Sequence, residues 1–177
     1  MDDLASIERR AARIKLLLMD CDGVLTDGRL WLTQAGEEQK TFNTHDGLGL
    51  SLWHQAGLKS GIISGRSSQA VARRAGELGI EFVRQGDEHK LEAFAEVMRQ
   101  AEVDENEVAF VGDDLTDIPI MRRVEFAVAV ADAVVETRSV AHYVTRANGG
   151  HGAIREVVEI ILKAQGRWND LIEEYLK

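Results

Sequence analysis

Residues 16–28, "LLLMDCDGVLTDG", run four apolar side chains straight into Asp20, Cys21 and Asp22. A short continuous apolar run of this kind reads as a strand buried on both faces. Two carboxylates one residue apart at its end repel each other and resist desolvation. A cation, a shared proton or contact with water must compensate. In a period-two strand Asp20 and Asp22 point the same way, and Cys21 points into the opposite layer. Cys21 therefore reads as a small buried residue rather than a nucleophile.

Working outward, four more β-like runs follow: "LKSGIIS", "IEFVRQ", "VAFVGD" and "FAVAVA". Between them lie "SQAVARRAGELG", "KLEAFAEVMRQA" and "LTDIPIMRRV", which carry helical spacing. The alternation predicts an α/β fold, a Rossmann-like three-layer arrangement with a parallel sheet between helices. No repeat or Pro/Ser-rich linker divides the chain, so residues 1–177 read as a single domain. One segment breaks the rhythm. Residues 28–43, "GRLWLTQAGEEQKTFN", read as a projecting β-hairpin around Ala35-Gly36, with Leu30 and Leu32 on one side and Trp31 on the other. Such a ribbon either packs on its own domain or pairs with other subunits.

A formal net charge of -9 disfavours nucleic acid as a partner, because phosphate backbones are met by clustered Lys and Arg. A small anion needs only a few local cations and stays open. Cys21 is the sole cysteine, which excludes an internal disulfide and fits a reducing compartment. The start of the chain is charged and lacks an apolar h-region, and no apolar run reaches the ~18 residues of a membrane span. A cytoplasmic setting without membrane partners is expected.

Ligands of parallel α/β sheets gather at the carboxyl ends of the strands. Three strands here end in polar groups: Asp20 and Asp22, then "SGR" (Ser64, Gly65, Arg66), then "GDDLTD" (Asp113, Asp114, Asp117). Asp20, Asp22 and Asp113 make the hard-oxygen set that Mg²⁺ takes. Asp113 and Asp114 can equally cap the helix that follows.

"DCDGVLTDG", "IISGR", Lys90 in "GDEHKLEAF" and "GDDLTD" together resemble the four ordered motifs of the haloacid dehalogenase-like hydrolase superfamily. The resemblance implies that Asp20 attacks phosphorus and that Asp22 acts as general acid and then general base. It implies that Ser64 and Lys90 hold the phosphate and that Lys90 neutralises Asp20. Asp20 and Asp113 would bind Mg²⁺ by side chain, Asp22 by its backbone carbonyl, and Asp114 would orient metal-bound waters. Asp117 is left as a structural candidate, and Lys15, Lys40 and Lys59 fall outside the motif positions.

Many relatives in the superfamily carry a cap domain, and the spacings here leave no room for one: only the hairpin and a helix over "GLGLSLWHQAG" lie between Asp22 and Ser64, and only one helix and one strand between Ser64 and Lys90. A capless site must be covered by a macromolecular substrate or by a neighbouring subunit. The hairpin, "KTFNTHDGLGL" and "RANGGHGAIRE" resemble the small tetrameric sugar-acid phosphatases of this superfamily. That likeness implies a phosphorylated sugar-acid substrate and a homotetramer built through the hairpin. It puts Asn43, Thr44, His45, Asp46 and Gly47 on a substrate loop, and Arg66 and Arg74 on anion-binding positions. The sugar length stays open, nononate and sialic-acid phosphates included. The helical tail, about residues 151–177, carries Trp168, Leu171, Ile172, Tyr175 and Leu176 at helix-face spacing. It either docks on its own domain or covers a neighbour's site. A phosphoaccepting signalling receiver and a silent binding domain are the rival classes.

Overall fold

The computed structural model describes residues 3–34, 38–87 and 89–177, so the expected Ala35-Gly36 turn lies outside the described residues. In chain order come α1 (Leu4–Ala11), β1 (Leu16–Met19), β2 (Trp31–Leu32), β3 (Glu38–Gln39), α2 (Thr44–Gln55) and β4 (Lys59–Ser64). Then come α3 (Gln69–Leu78), β5 (Phe82–Gln85), α4 (Lys90–Ala101), β6 (Val108–Gly112), α5 (Ile118–Met121) and β7 (Phe126–Ala129). The chain closes with α6 (Val135–Val140), β8 (Tyr143–Val144), α7 (Ala153–Ala164) and α8 (Trp168–Ile172).

Six strands form one sheet in the order β5-β4-β1-β6-β7-β8, and each neighbouring pair is parallel. Helices flank it: α1, α2 and α7 pack together as one group, and α4 with α5 as another. Strands β1, β6 and β7 are buried along their whole length, which is why they read as unbroken apolar runs. Helix α7 docks Ile154, Val157, Val158, Ile161 and Leu162 into the core. The buried Trp168 then folds back under Arg155 and Lys163, whose charges lie 5.0 and 5.3 Å from its ring. Leu171 and Ile172 also pack on the core, while Tyr175 and Leu176 stay exposed. The tail thus docks on its own domain through its first half.

Two expectations need correction. Residues 43–47 are not a loop: Asn43 is the N-cap of α2, its side chain accepting from the His45 amide, and Thr44–Gly47 form the first turn. The helix after β6 is broken into a 3₁₀ turn, Leu115–Asp117, and the four-residue α5 that contains Pro119. Strand β8 was not expected. Among the described residues the hairpin is paired over Trp31–Leu32 and Glu38–Gln39, and Leu30, Trp31 and Leu32 are all exposed.

Candidate active site

Strand β1 sits where the order of the sheet reverses, between β4 and β6. A crevice opens at the carboxyl end of such a point. The Asp20 amide still reaches the Val111 carbonyl at 3.0 Å, so the ladder carries the chain one residue past β1 before it turns. The turn is closed by the amides of Leu25 and Thr26, which both donate to the Cys21 carbonyl. Cys21 is fully buried, and burial pushes its thiol far up, so it is inert in this position.

Lys90, the first residue of α4, places its Nζ 2.9 Å from Asp20 Oδ1 and 2.7 Å from Asp117 Oδ1. The side chain of Lys90 is 5% exposed and that of Asp117 is fully buried. The other oxygen of Asp117 accepts from the Asp113 and Asp114 amides, at 2.9 and 3.3 Å. Asp117 therefore holds Lys90 and the loop after β6 together. Asp114 caps its own turn, its Oδ1 accepting from the Leu115 amide at 2.7 Å. Gly23 has φ +90°, and a Cβ there would lie 2.1 Å from Asp113 Oδ2. Only glycine lets the turn after β1 come that close to Asp113.

Burial pushes the Asp113 carboxyl up to about 8, with the charges of Asp20 and Asp117 adding to it. Burial and Asp117 likewise raise Asp20 to about 6, against the pull of Lys90. Lys90 is itself raised: burial opposes its charge, but Asp117 and Asp20 outweigh that. Among the described residues, Asp20, Asp113 and Asp117 can each offer one oxygen within 4.8 Å of the others. Asp113 Oδ1 is buried without a hydrogen-bond partner. An orphaned carboxylate oxygen in an acidic cluster fits a hard divalent cation, which removes both the repulsion and the desolvation cost.

These groups face a pocket of about 440 Å³ lined by Asp20, Asp22, Ser64, Gly65, Arg66, Asp87, Lys90, Asp113, Asp114 and Thr116. The expected Asp20, Asp22, Ser64, Lys90, Asp113 and Asp114 all line it, and Asp117 lies buried behind Lys90. Its walls carry five carboxylates against Lys90 and Arg66, so a phosphate needs further positive charge before it can enter. Ser64, at the end of β4, is buried, and its Oγ accepts from the Arg66 amide at 3.3 Å.

The pocket walls of the single chain do not include Asn43, Thr44, His45, Asp46, Gly47 or Arg74. Asp46 is buried and its carboxylate accepts from the Gly152 and Arg155 amides, at 3.2 and 2.8 Å. It ties α2 to the start of α7. Arg74 lies over the Phe42 ring at 6.0 Å and pairs with Glu77 at 3.2 Å. Conversely, Lys40, Glu38, Asp87 and Thr116 were missed. Lys40 contacts Asp22 Oδ1 directly and lies 2.6 Å from Glu38 Oε1, while Arg66 reaches Asp22 Oδ2 at 3.6 Å and Glu38 Oε2 at 3.0 Å. Only the charge of Lys40 on the return arm of an expected hairpin hinted at this.

Residues 75–157 match the family described as haloacid dehalogenase-like hydrolase. The chain is 43% identical over 159 residues to the 3-deoxy-D-manno-octulosonate 8-phosphate phosphatase KdsC of Yersinia pestis, covering 90% of this chain and 85% of that protein. The crystal structure of the phosphatase of that name from Yersinia pestis superposes with a TM-score of 0.90 at 42% identity, over 92% of this chain and 88% of that one. The corresponding protein of Moraxella catarrhalis, in complex with magnesium ion, phosphate ion and KDO, superposes with a TM-score of 0.95 at 40% identity, over 98% and 99% of the two chains. With the four motifs gathered in one crevice, these likenesses show that the chain belongs to the haloacid dehalogenase-like hydrolases, within the family of the 3-deoxy-D-manno-octulosonate 8-phosphate phosphatases.

Proposed function

We propose that this protein hydrolyses 3-deoxy-D-manno-octulosonate 8-phosphate to the free sugar acid and phosphate, with Mg²⁺ as cofactor. The observation that carries the reading is the buried Lys90–Asp20 pair facing the same pocket as Asp22 and the orphaned Asp113 oxygen. Its support from relatives is the magnesium, phosphate and KDO held by the Moraxella catarrhalis protein.

A carboxylate oxygen of Asp20 attacks phosphorus, and the bond from phosphorus to the sugar oxygen breaks. Asp22 gives its proton to the departing oxygen, so the sugar leaves as an alcohol. A water molecule then loses a proton to Asp22 and attacks the phosphorus of the aspartyl phosphate, which frees Asp20 and inorganic phosphate. Lys90 holds Asp20 in place and offers positive charge to the equatorial oxygens, and Ser64 offers them a hydroxyl donor. Asp20 and Asp113 would hold Mg²⁺, with the Asp22 carbonyl beside them and Asp114 orienting its waters. When bound, the ion supplies the positive charge that five wall carboxylates otherwise deny a phosphate. Arg66 is the wall cation suited to the sugar carboxylate.

A pocket without a cap and an exposed ribbon of Leu30, Trp31 and Leu32 together favour assembly as a homotetramer through the hairpin. No described helix is long and apolar enough to cross a membrane. The test is phosphate release from a panel of sugar-acid phosphates, nononate and sialic-acid 9-phosphates included. The octulosonate ester should give the highest kcat/KM, lost on chelation. Asp20→Asn should lower it by at least ~10⁴-fold. A faster nononate ester, or turnover that survives Asp20→Asn, would overturn the reading.

A further inference from the structure

The hairpin sends one charged side chain inward. Lys40 follows β3, and its side chain is only 1% exposed although the ribbon it leaves is solvent-facing. Burying an ammonium that completely is costly unless its protons are taken up. Lys40 donates to Asp22 Oδ1, and Glu38 Oε1 stands 2.6 Å away as an ion-pair partner. Burial opposes the charge on Lys40, but those two carboxylates outweigh it and raise Lys40 above the ordinary lysine range.

Arg66 closes the cluster from the loop after β4, near Asp22 Oδ2 at 3.6 Å and on Glu38 Oε2 at 3.0 Å. Each oxygen of Asp22 therefore faces a cation from a different element. Arg66 is half exposed, so its hold is loose, whereas Lys40 is enclosed and has nowhere else to go. The enclosed Lys40 contact therefore comes from a fixed direction on Oδ1 and governs how the Asp22 carboxylate lies.

We propose that Lys40 is a positioning residue for Asp22, holding it in the orientation from which it reaches the leaving oxygen, and that Glu38 anchors Lys40 for this task. The proposal rests on the reading of Asp22 as general acid. Lys40 is not among the groups that line the pocket, so it acts through Asp22. The hairpin then has a role inside its own chain: its root determines how the acid stands.

Leaving-group dependence tests it. A general acid matters for an alkyl phosphate, whose alcohol leaves poorly, and hardly for p-nitrophenyl phosphate, whose phenol leaves unaided. The quantity to read is kcat/KM, which ends at phosphoryl transfer to Asp20 and leaves out the later hydrolysis. For the full chain with Mg²⁺, Lys40→Met should lower kcat/KM for the octulosonate 8-phosphate by about 10- to 100-fold, within the ~10²–10⁴ that a placed acid supplies. It should change the p-nitrophenyl value less than about threefold, Lys40→Arg should recover part of the loss, and Lys40→Met should add nothing on top of Asp22→Asn. Equal losses on both esters would overturn the proposal, as would additive losses in the double variant. Asp22→Asn alone checks the reading beneath it. If that variant shows no preference for the better leaving group, the acid assignment fails independently of Lys40.

Discussion

Two lysines hold carboxylates that line the same crevice, and each stands between two acids. Lys90 comes from the start of α4 and joins Asp20 to Asp117 in the interior. Lys40 comes from the root of the hairpin and joins Asp22 to Glu38. Their side chains are 5% and 1% exposed, so burial alone does not separate them. What differs is the scaffold. Asp117 is pinned by two backbone amides in the 3₁₀ turn that follows β6, whereas Glu38 belongs to a two-residue strand paired with the exposed Trp31 and Leu32. The nucleophile is placed by the core, and the acid by an appendage.

The largest effect that would break this contrast is at Lys90. Lys90→Met leaves Asp20, Asp113 and Asp117 facing one another with no cation. A loss of about 3–5 kcal/mol in unfolding free energy is expected without metal, as for other pairs broken by removing one buried partner. Chemical denaturation with chelator and then with excess Mg²⁺ should show that most of the loss is recovered by the ion. A metal-independent loss of under about 1 kcal/mol would mean that the inner pair is no more rigid than the outer.

The next effect is a dependence on pH. In the metal-free protein Asp20 titrates at about 6 and Asp113 at about 8, both above the ordinary carboxylate value of 3.8. The folded chain thus holds protons that the unfolded chain has released, so stability falls as pH rises from about 4 towards 8. Thermal melts in chelator should show Tm declining over that window, and Mg²⁺ should stabilise most at its upper end, where the fewest protons must be displaced. Asp113→Asn should flatten the decline above pH 6. A metal-free Tm that rises across the window would contradict the assignment.

The smallest effect sharpens the other half of the comparison. Trp31→Glu lies on the exposed ribbon and should change the unfolding free energy of one chain by no more than about 0.5 kcal/mol. Sedimentation should nevertheless show smaller assemblies. If Lys40 is steadied by the ribbon being held, kcat/KM for the sugar ester should fall a few-fold in the dissociated form. An unchanged sedimentation profile would separate the hairpin from assembly.

Much of the inner site was legible because it is local. Each motif residue sits at the carboxyl end of a strand or the start of a helix, and strands buried on both faces announce themselves as apolar runs. Two things were hidden. The helix over residues 47–57 was legible, but its first turn, residues 44–46, was hidden in a segment read as a substrate loop. Within that helix the fold uses Gly49 for contact, because a Cβ there would lie 3.1 Å from the Arg155 Cα. Strand β8 is two half-buried residues at the sheet edge, too short to carry a period. Lys40 was passed over for a third reason. Its partner is set by how a ribbon folds back over a turn, and spacing along the chain does not encode that. Asp117 was legible as an acid, but its task of gripping Lys90 required the two loops to be seen together.

Asp20 and Asp113 end strands that touch in space, yet two strand-and-helix units are threaded between them along the chain. A polypeptide still emerging, or one cut short of β6, carries the nucleophile with no opposing oxygen to share an ion. The cation can therefore reward only a chain in which β6 already stands beside β1. Its arrival doubles as an inspection of the long crossover from β1 to β6, passed once those two strands have met.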